Sequence, residues 1–129
     1  MITYFCPACW NVISQDDIIC PYCGYDLRDF QQMPYERKLL MGLNHPVTEM
    51  KLNVLHVIGM KNLKEAIPYI ENMINKETNP VVLMQIVDTL AMMSHPEALE
   101  LLHKLTMHRY PTVSSKAKQA LKKLLKLRG

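Results

Sequence analysis

Asn79-Pro80-Val81-Val82-Leu83-Met84-Gln85-Ile86-Val87-Asp88-Thr89-Leu90-Ala91 decides the fold of this chain. An asparagine ahead of a proline is a helix start: the amide oxygen accepts from a free N–H of the first turn, and proline fills the position where a missing N–H costs nothing. Leu83, Ile86, Val87 and Leu90 then recur at steps of three and four, which places them on one helical face. The segment therefore reads as a helix with a buried stripe. Strand signals are nearly absent after residue 34.

Outward from this helix the pattern repeats. Prolines in His45-Pro46-Val47 and Tyr110-Pro111-Thr112 are expected to start equivalent helices, and the apolar runs end at Ile58-Gly59, Leu90-Ala91 and Leu121-Lys122, an interval of about 31 or 32 residues. Each unit holds two helices, predicted at 35–44 with 47–60, 63–76 with 80–93, and 96–108 with 112–127. Leu99, Leu101, Leu102 and Leu105 make one apolar face, and Val113, Ala117, Ala120, Leu121 and Leu124 another. Asn62 stands three residues before Glu65 and Ser94 three before Glu97, so both are expected to be N-caps of capping boxes.

These repeats resemble HEAT repeats, specifically the short bacterial type related to the repeats of phycobilin lyases. In that family the second helix begins Pro-X-Val and carries small residues before Ala-Leu-Gly. Pro80, Val82, Leu90 and Ala91 match in the middle unit, as do Pro111, Val113, Ala117, Ala120 and Leu121 in the last. In the first unit Gly59 fits, with two extra residues between it and Pro46, and Leu83 and Ser114 stand where the family usually has an arginine. The resemblance covers about three quarters of the chain and implies a mainly α fold, an α-solenoid of about three helical pairs. Function does not follow from it, since such arrays serve scaffolds, lyases and hydroxylases alike.

The chain's four cysteines all lie in the first 23 residues, as Cys6-Pro7-Ala8-Cys9 and Cys20-Pro21-Tyr22-Cys23-Gly24. Each Cys-X-X-Cys turn aims two sulfurs to one side, and two such turns supply the four ligands of a tetrahedral metal. Gly24 lets the chain leave the second turn through a conformation that a Cβ penalises, whereas the equivalent position after the first turn is Trp10. Between the turns, Val12, Ile13, Ile18 and Ile19 frame Ser14-Gln15-Asp16-Asp17 and are expected to form a short hairpin. This stretch resembles the short zinc-ribbon family. The resemblance implies one structural Zn²⁺ on Cys6, Cys9, Cys20 and Cys23, with no coordination position open to substrate.

Two other readings of the cysteines stay open here. Disulfides need an oxidising compartment, and Met1-Ile2-Thr3-Tyr4 offers neither a basic nor an apolar leader segment. A rubredoxin-like iron site normally has a longer insert between its turns, and catalytic zinc ranks last. The boundary is placed at Asp26 to Met33, where Asp29, Gln31 and Gln32 interrupt the apolar pattern before Pro34, giving a ribbon at 1–33 and a HEAT-like domain at 34–129.

Charge is segregated along the chain. The formal net charge is +3, yet residues 1–33 hold Asp16, Asp17, Asp26 and Asp29 against Arg28 alone. Four thiolates and one Zn²⁺ would bring the ribbon to about −5 and the whole chain to about +1. Such a ribbon repels phosphates. From Thr112 onward Lys116, Lys118, Lys122, Lys123, Lys126 and Arg128 have no acidic neighbour, with Leu121, Leu124 and Leu125 assigned to the buried face. The segment reads as a capping helix with a solvated basic side, and docking to an acidic protein or to nucleic acid is the alternative. No apolar run reaches 18 residues, so no membrane span is expected, and a prokaryotic cytoplasm is the expected setting. Ten methionines are assigned mostly to the core.

No catalytic constellation emerges, and the chain is read as a non-enzyme. His45, His56, His95, His103 and His108 are spread over different segments and read as solvated or loop histidines. Ser94, His95 and Asp88 invite a triad, set aside because Ser94 is assigned to a cap. The expected function is a zinc-binding adaptor that holds a protein partner. Lys51, Gln85, Asp88, Lys116 and Gln119 are predicted to form one exposed strip on the second helices, and Trp10 is the ribbon's candidate contact. A nucleic-acid-associated factor using the C-terminal lysines is the runner-up, and a lyase-like or chaperone-like accessory rests on the resemblance alone. An exposed solenoid end is also suited to pairing with another copy.

Overall fold

The computed structural model describes residues 3–128, and for Leu127 and Arg128 the backbone only. Met1, Ile2 and the Arg128 side chain, counted above, lie outside the described residues. The fold is mainly helical with one small antiparallel hairpin. Two compact units, Met1–Lys51 and Leu52–Gly129, divide within helix α3, Thr48–Lys61, so the 33/34 boundary falls inside the first unit.

In the first unit, strand β1 (Tyr4–Phe5) pairs with β2 (Val12–Ile13), Tyr4 opposite Ile13 and Phe5 opposite Val12. This corrects the expected hairpin, because the turn it encloses is the first cysteine pair and not Ser14–Asp17. A Cys-X-X-Cys turn reverses the chain by itself, so the residues flanking it become the strands. Ser14–Asp17 is a separate turn, closed by Asp17 N–H on the Ser14 carbonyl and by Ser14 N–H on the Asp17 carboxylate. The second cysteine pair is flanked likewise by a bridge between Ile19 and Asp26. The stretch read as a boundary is helix α1, Leu27–Gln32, because Asp26 caps it by accepting from the Arg28 N–H at 3.0 Å. Helix α2, Tyr35–Gly42, follows Pro34 as predicted.

The second unit contains most of α3, a 3-10 turn at Lys64–Ala66 running into α4 (Ile67–Lys76), and then α5 (Pro80–Met92), α6 (Pro96–Leu105) and α7 (Pro111–Arg128). These match the predicted helices within a few residues. Asn79 caps α5 through the Val81 N–H, and Pro80 and Pro111 open their helices, whereas α3 starts two residues after Pro46. Helix α5 packs against α4, α6 and α7, and α6 packs against α7. Leu83, Ile86, Leu90, Leu102, Leu105 and Val113 are buried between them, each worth about 1.5–3 kcal/mol of transfer from water.

Both predicted capping boxes are absent. Asn62 has φ 53° and ends α3: Leu63 N–H reaches the Ile58 carbonyl at 3.2 Å, the long bond of a helix-terminating left-handed turn. Its side-chain oxygen instead accepts from Ser94 N–H at 2.9 Å, one repeat further on. Ser94 therefore caps nothing, and the N-cap of α6 is His95, whose Nε2 lies 3.3 Å from the Asn62 carbonyl oxygen. The methionine assignment is also corrected. Met50, Met60, Met92 and Met107 are exposed while Met93 is buried, and Leu125 points outward on α7.

Helices α3 and α5 approach most closely at Gly59. A Cβ there would lie 3.3 Å from the Thr89 Cα and 3.1 Å from the Met92 sulfur. Thr89, fully buried, donates its hydroxyl to the Leu55 carbonyl at 2.9 Å. Gly59→Val is expected to destabilise the protein by about 1–3 kcal/mol, because Thr89 backbone cannot move aside. Gly59→Ala should stay within about 1 kcal/mol of wild type, its gain in helix propensity opposing the contact with the flexible Met92. Urea melts followed at 222 nm measure both, and a valine variant as stable as wild type refutes the close crossing.

Candidate metal centre

The two cysteine turns are built alike, hydrogen bond for hydrogen bond. Cys6 N–H donates to the Asn11 carbonyl at 3.0 Å and Trp10 N–H to the Cys6 carbonyl at 2.7 Å. Cys20 N–H donates to Tyr25 at 2.9 Å and Gly24 N–H to Cys20 at 3.0 Å. Both exits are left-handed, at φ 63° for Trp10 and φ 80° for Gly24. Glycine adopts this conformation freely, whereas a residue with a Cβ pays roughly 1–2 kcal/mol. Trp10 is held there by its ring, 4.7 Å from that of His45, which in turn meets Phe5 edge-on at 5.5 Å. His45 is thus a loop histidine, as expected, and a half-buried packing residue. Its Nδ1 accepts from the Val47 N–H at 3.0 Å, which leaves the proton of the neutral ring on Nε2, and burial together with Lys51 lowers its pKa.

The four Sγ atoms all lie within 4.8 Å of one another. Cys6 to Cys23 and Cys9 to Cys20 are both 3.7 Å, against the ~3.8 Å edge of a tetrahedron with ~2.3 Å metal–sulfur bonds. All four are free thiols, so the disulfide reading falls away. Cys6 and Cys20 are buried and Cys23 is exposed. Asn11 Nδ2 donates to the Cys9 sulfur at 3.3 Å and Tyr22 N–H to that of Cys20 at 3.4 Å. The Asn11 backbone N–H is the main reason the Cys9 thiol is pulled down to about 6. At Cys23 the Tyr25 backbone N–H acts the same way, but desolvation and the neighbouring sulfurs of Cys20, Cys6 and Cys9 prevail and push it up to about 12. One thiolate forms readily and further ones repel it, which is the electrostatic signature of a site suited to a cation.

Residues 36–122 match the family of HEAT repeats. The chain belongs to that family. No curated protein and no solved structure matches the chain. Within the HEAT array, Asp88 on α5 and Lys116 on α7 form an ion pair at 3.0 Å. They line a shallow groove of about 190 Å³ with Ala91, Gln119, Ala120 and Lys123. Gln85 lies on the same helix as Asp88, 3.4 Å from the Thr89 hydroxyl. The structure therefore brings Asp88, Lys116 and Gln119 together. Lys51 belongs to the first unit, and Lys51, Gln85 and Lys116 are half-buried, not exposed as predicted, since each long side chain lies against its neighbours.

The two left-handed exits generate a ranking. Gly24→Ala should cost about 1–2 kcal/mol although its Cβ would meet nothing within 4 Å, the whole penalty being conformational. Trp10→Gly should be more stable than Trp10→Ala by about 1 kcal/mol, since both lose the ring and glycine alone relieves the backbone. Thermal melts of the metal-loaded proteins check this, and equal stability of the two Trp10 variants contradicts it.

Proposed function

We propose that the protein is a non-catalytic adaptor: a zinc ribbon fused to a HEAT array that holds a protein partner. The observation that carries this reading is four converging sulfurs in the same chain as a HEAT-family array. Four protein thiolates complete the coordination shell, so a bound metal has no position left for substrate and acts structurally. Thiolate ligands in a tetrahedron suit zinc or iron, and the short insert between the turns favours zinc. HEAT arrays use long helical faces for protein contact, and the α5–α7 groove, with both signs of charge and small residues, suits a protein more than a phosphate backbone. Trp10, beside a pocket of about 630 Å³ lined also by Phe5, Phe30, Asp17 and His45, is the ribbon's own candidate contact. No helix among the described residues is long and apolar enough to cross a membrane, and a reducing cytoplasm is the setting that keeps four thiols available.

The nucleic-acid reading is weakened by Lys116, whose ammonium is already paired with Asp88. The lyase-like or chaperone-like reading has the family membership as its sole support.

Purified protein is expected to contain about one Zn²⁺ per chain. Cys20→Ser should release it and unfold the ribbon while the α5–α7 helical signal persists, because those helices are held by apolar packing. Elemental analysis finding iron, or loss of all ellipticity at 222 nm on chelation, overturns the zinc reading.

Capture from the native organism tests the partner face. Asp88→Lys with Gln119→Glu should weaken partner recovery while changing stability by no more than about 1 kcal/mol, as both side chains are solvent-facing. If that variant keeps every partner and Trp10→Ala loses them, recognition lies in the ribbon. Tight RNA or DNA binding near ~150 mM salt, abolished by Lys122→Glu with Lys123→Glu, replaces the adaptor reading with the nucleic-acid one.

A further inference from the structure

The first unit leaves an unusual amount of apolar side chain outside. Val12, Ile18, Ile19 and Tyr22 are 57, 56, 48 and 67% exposed, all within the ribbon. The Ile19–Asp26 bridge and the Leu27 N–H bond to the Ile18 carbonyl pair the isoleucine stretch with the stretch that carries Asp26 and Asp29, and Asp16 stands two residues before Ile18. Asp16 and Asp29 are exposed. Asp26 is engaged by Arg28 at 2.8 Å, the single basic residue of the segment. The ribbon thus presents exposed apolar side chains and exposed carboxylates within one short stretch of chain.

Helix α7 offers the inverse surface. Lys118, Lys122, Leu125 and Lys126 fall at i, i+4, i+7 and i+8, one outward stripe, and all four are exposed, Leu125 at 65%. No acid occurs in the sequence after Glu100 to neutralise them. Isolated exposed leucines are ordinary, but an exposed leucine inside a lysine stripe complements a surface that offers apolar side chains and carboxylates.

From this complementarity we infer that the ribbon of one copy docks the α7 stripe of a second copy, a head-to-tail contact between copies of this chain. Unlike a two-fold interface, such a contact joins two different surfaces, so each copy keeps one of each free and association continues beyond a dimer. The inference rests on the ribbon's side chains and not on which metal it binds.

Sedimentation velocity of the metal-loaded full chain, free of nucleic acid, tests it over a concentration series. Mass should rise with concentration past the dimer, and the association constant should fall by about tenfold or more between low and high salt, because the carboxylate–lysine contacts are screened. Asp16→Lys with Asp29→Lys, and separately Lys122→Glu with Lys126→Glu, should each stay monomeric, having two like-charged surfaces. Mixing the two variants should restore association, since each then meets its opposite. Lys122→Gln with Lys126→Gln, a milder change, should give intermediate affinity. A monomer at every concentration overturns the inference, as does association indifferent to salt. Failure of the mixture to associate, with both variants folded by circular dichroism, also overturns it.

Discussion

The crossing of α3 and α5 at Gly59 sets what the rest of the HEAT array can be. With no Cβ in the way, the two backbones come close enough for a buried threonine hydroxyl on α5 to reach a carbonyl on α3. That bond satisfies Thr89, the one fully buried polar side chain among the described residues, which would otherwise cost about 1–3 kcal/mol. Helix α5 is in turn touched by α4, α6 and α7, so its position fixes theirs. The Asn62 to Ser94 bond then repeats the register one unit on. Close packing propagates this, since a one-methylene error at the crossing is felt by every helix that α5 touches.

The first unit obeys a different constraint. It is too small to bury much apolar surface, and its organising problem is electrostatic: four sulfurs lie within 4.8 Å, of which one ionises easily and another is driven up to about 12. On the proposed reading a divalent cation removes that conflict and supplies the folding energy that a core would otherwise provide. The repeated N–H bonds around both turns are the scaffold that holds the sulfurs in place, and the tryptophan at the first left-handed exit is held by its ring against His45.

How much of this was legible follows from the range of the interactions. The helices were, because proline starts and three-to-four spacing are local: Asn79-Pro80 and the Leu83 to Leu90 stripe are sufficient evidence by themselves. The four metal-ligand candidates were legible for the same reason. Asn62 and Ser94 were misread because Asn serves equally as an N-cap and as a left-handed helix terminator, and only the chain's path tells which. Helix α1 was missed since a six-residue helix carries too little periodicity, although Asp26 ahead of Arg28 was its one available signal. The role of His45 was out of reach, for it depends on rings brought from residues 5 and 10. The Asp88–Lys116 pair could be anticipated only as a shared face, because its partners are 28 positions apart and meet through the packing of α5 on α7.

The two units thus divide their apolar residues in opposite ways, and the reason is energetic. A HEAT array is stabilised by burial, so most of its leucines and isoleucines turn inward, with Leu125, Val81, Met60 and Met107 among the apolar side chains left outside. On the proposed reading metal–thiolate bonds stabilise the ribbon instead, and Val12, Ile18, Ile19 and Tyr22 stand at its surface. Metal ligation would in that case leave a small segment free to expose apolar side chains that a burial-stabilised domain of the same size needs inside. The charge is divided as well: acids are concentrated in the ribbon and lysines in the last helix, so the ribbon repels phosphates and attracts cationic groups.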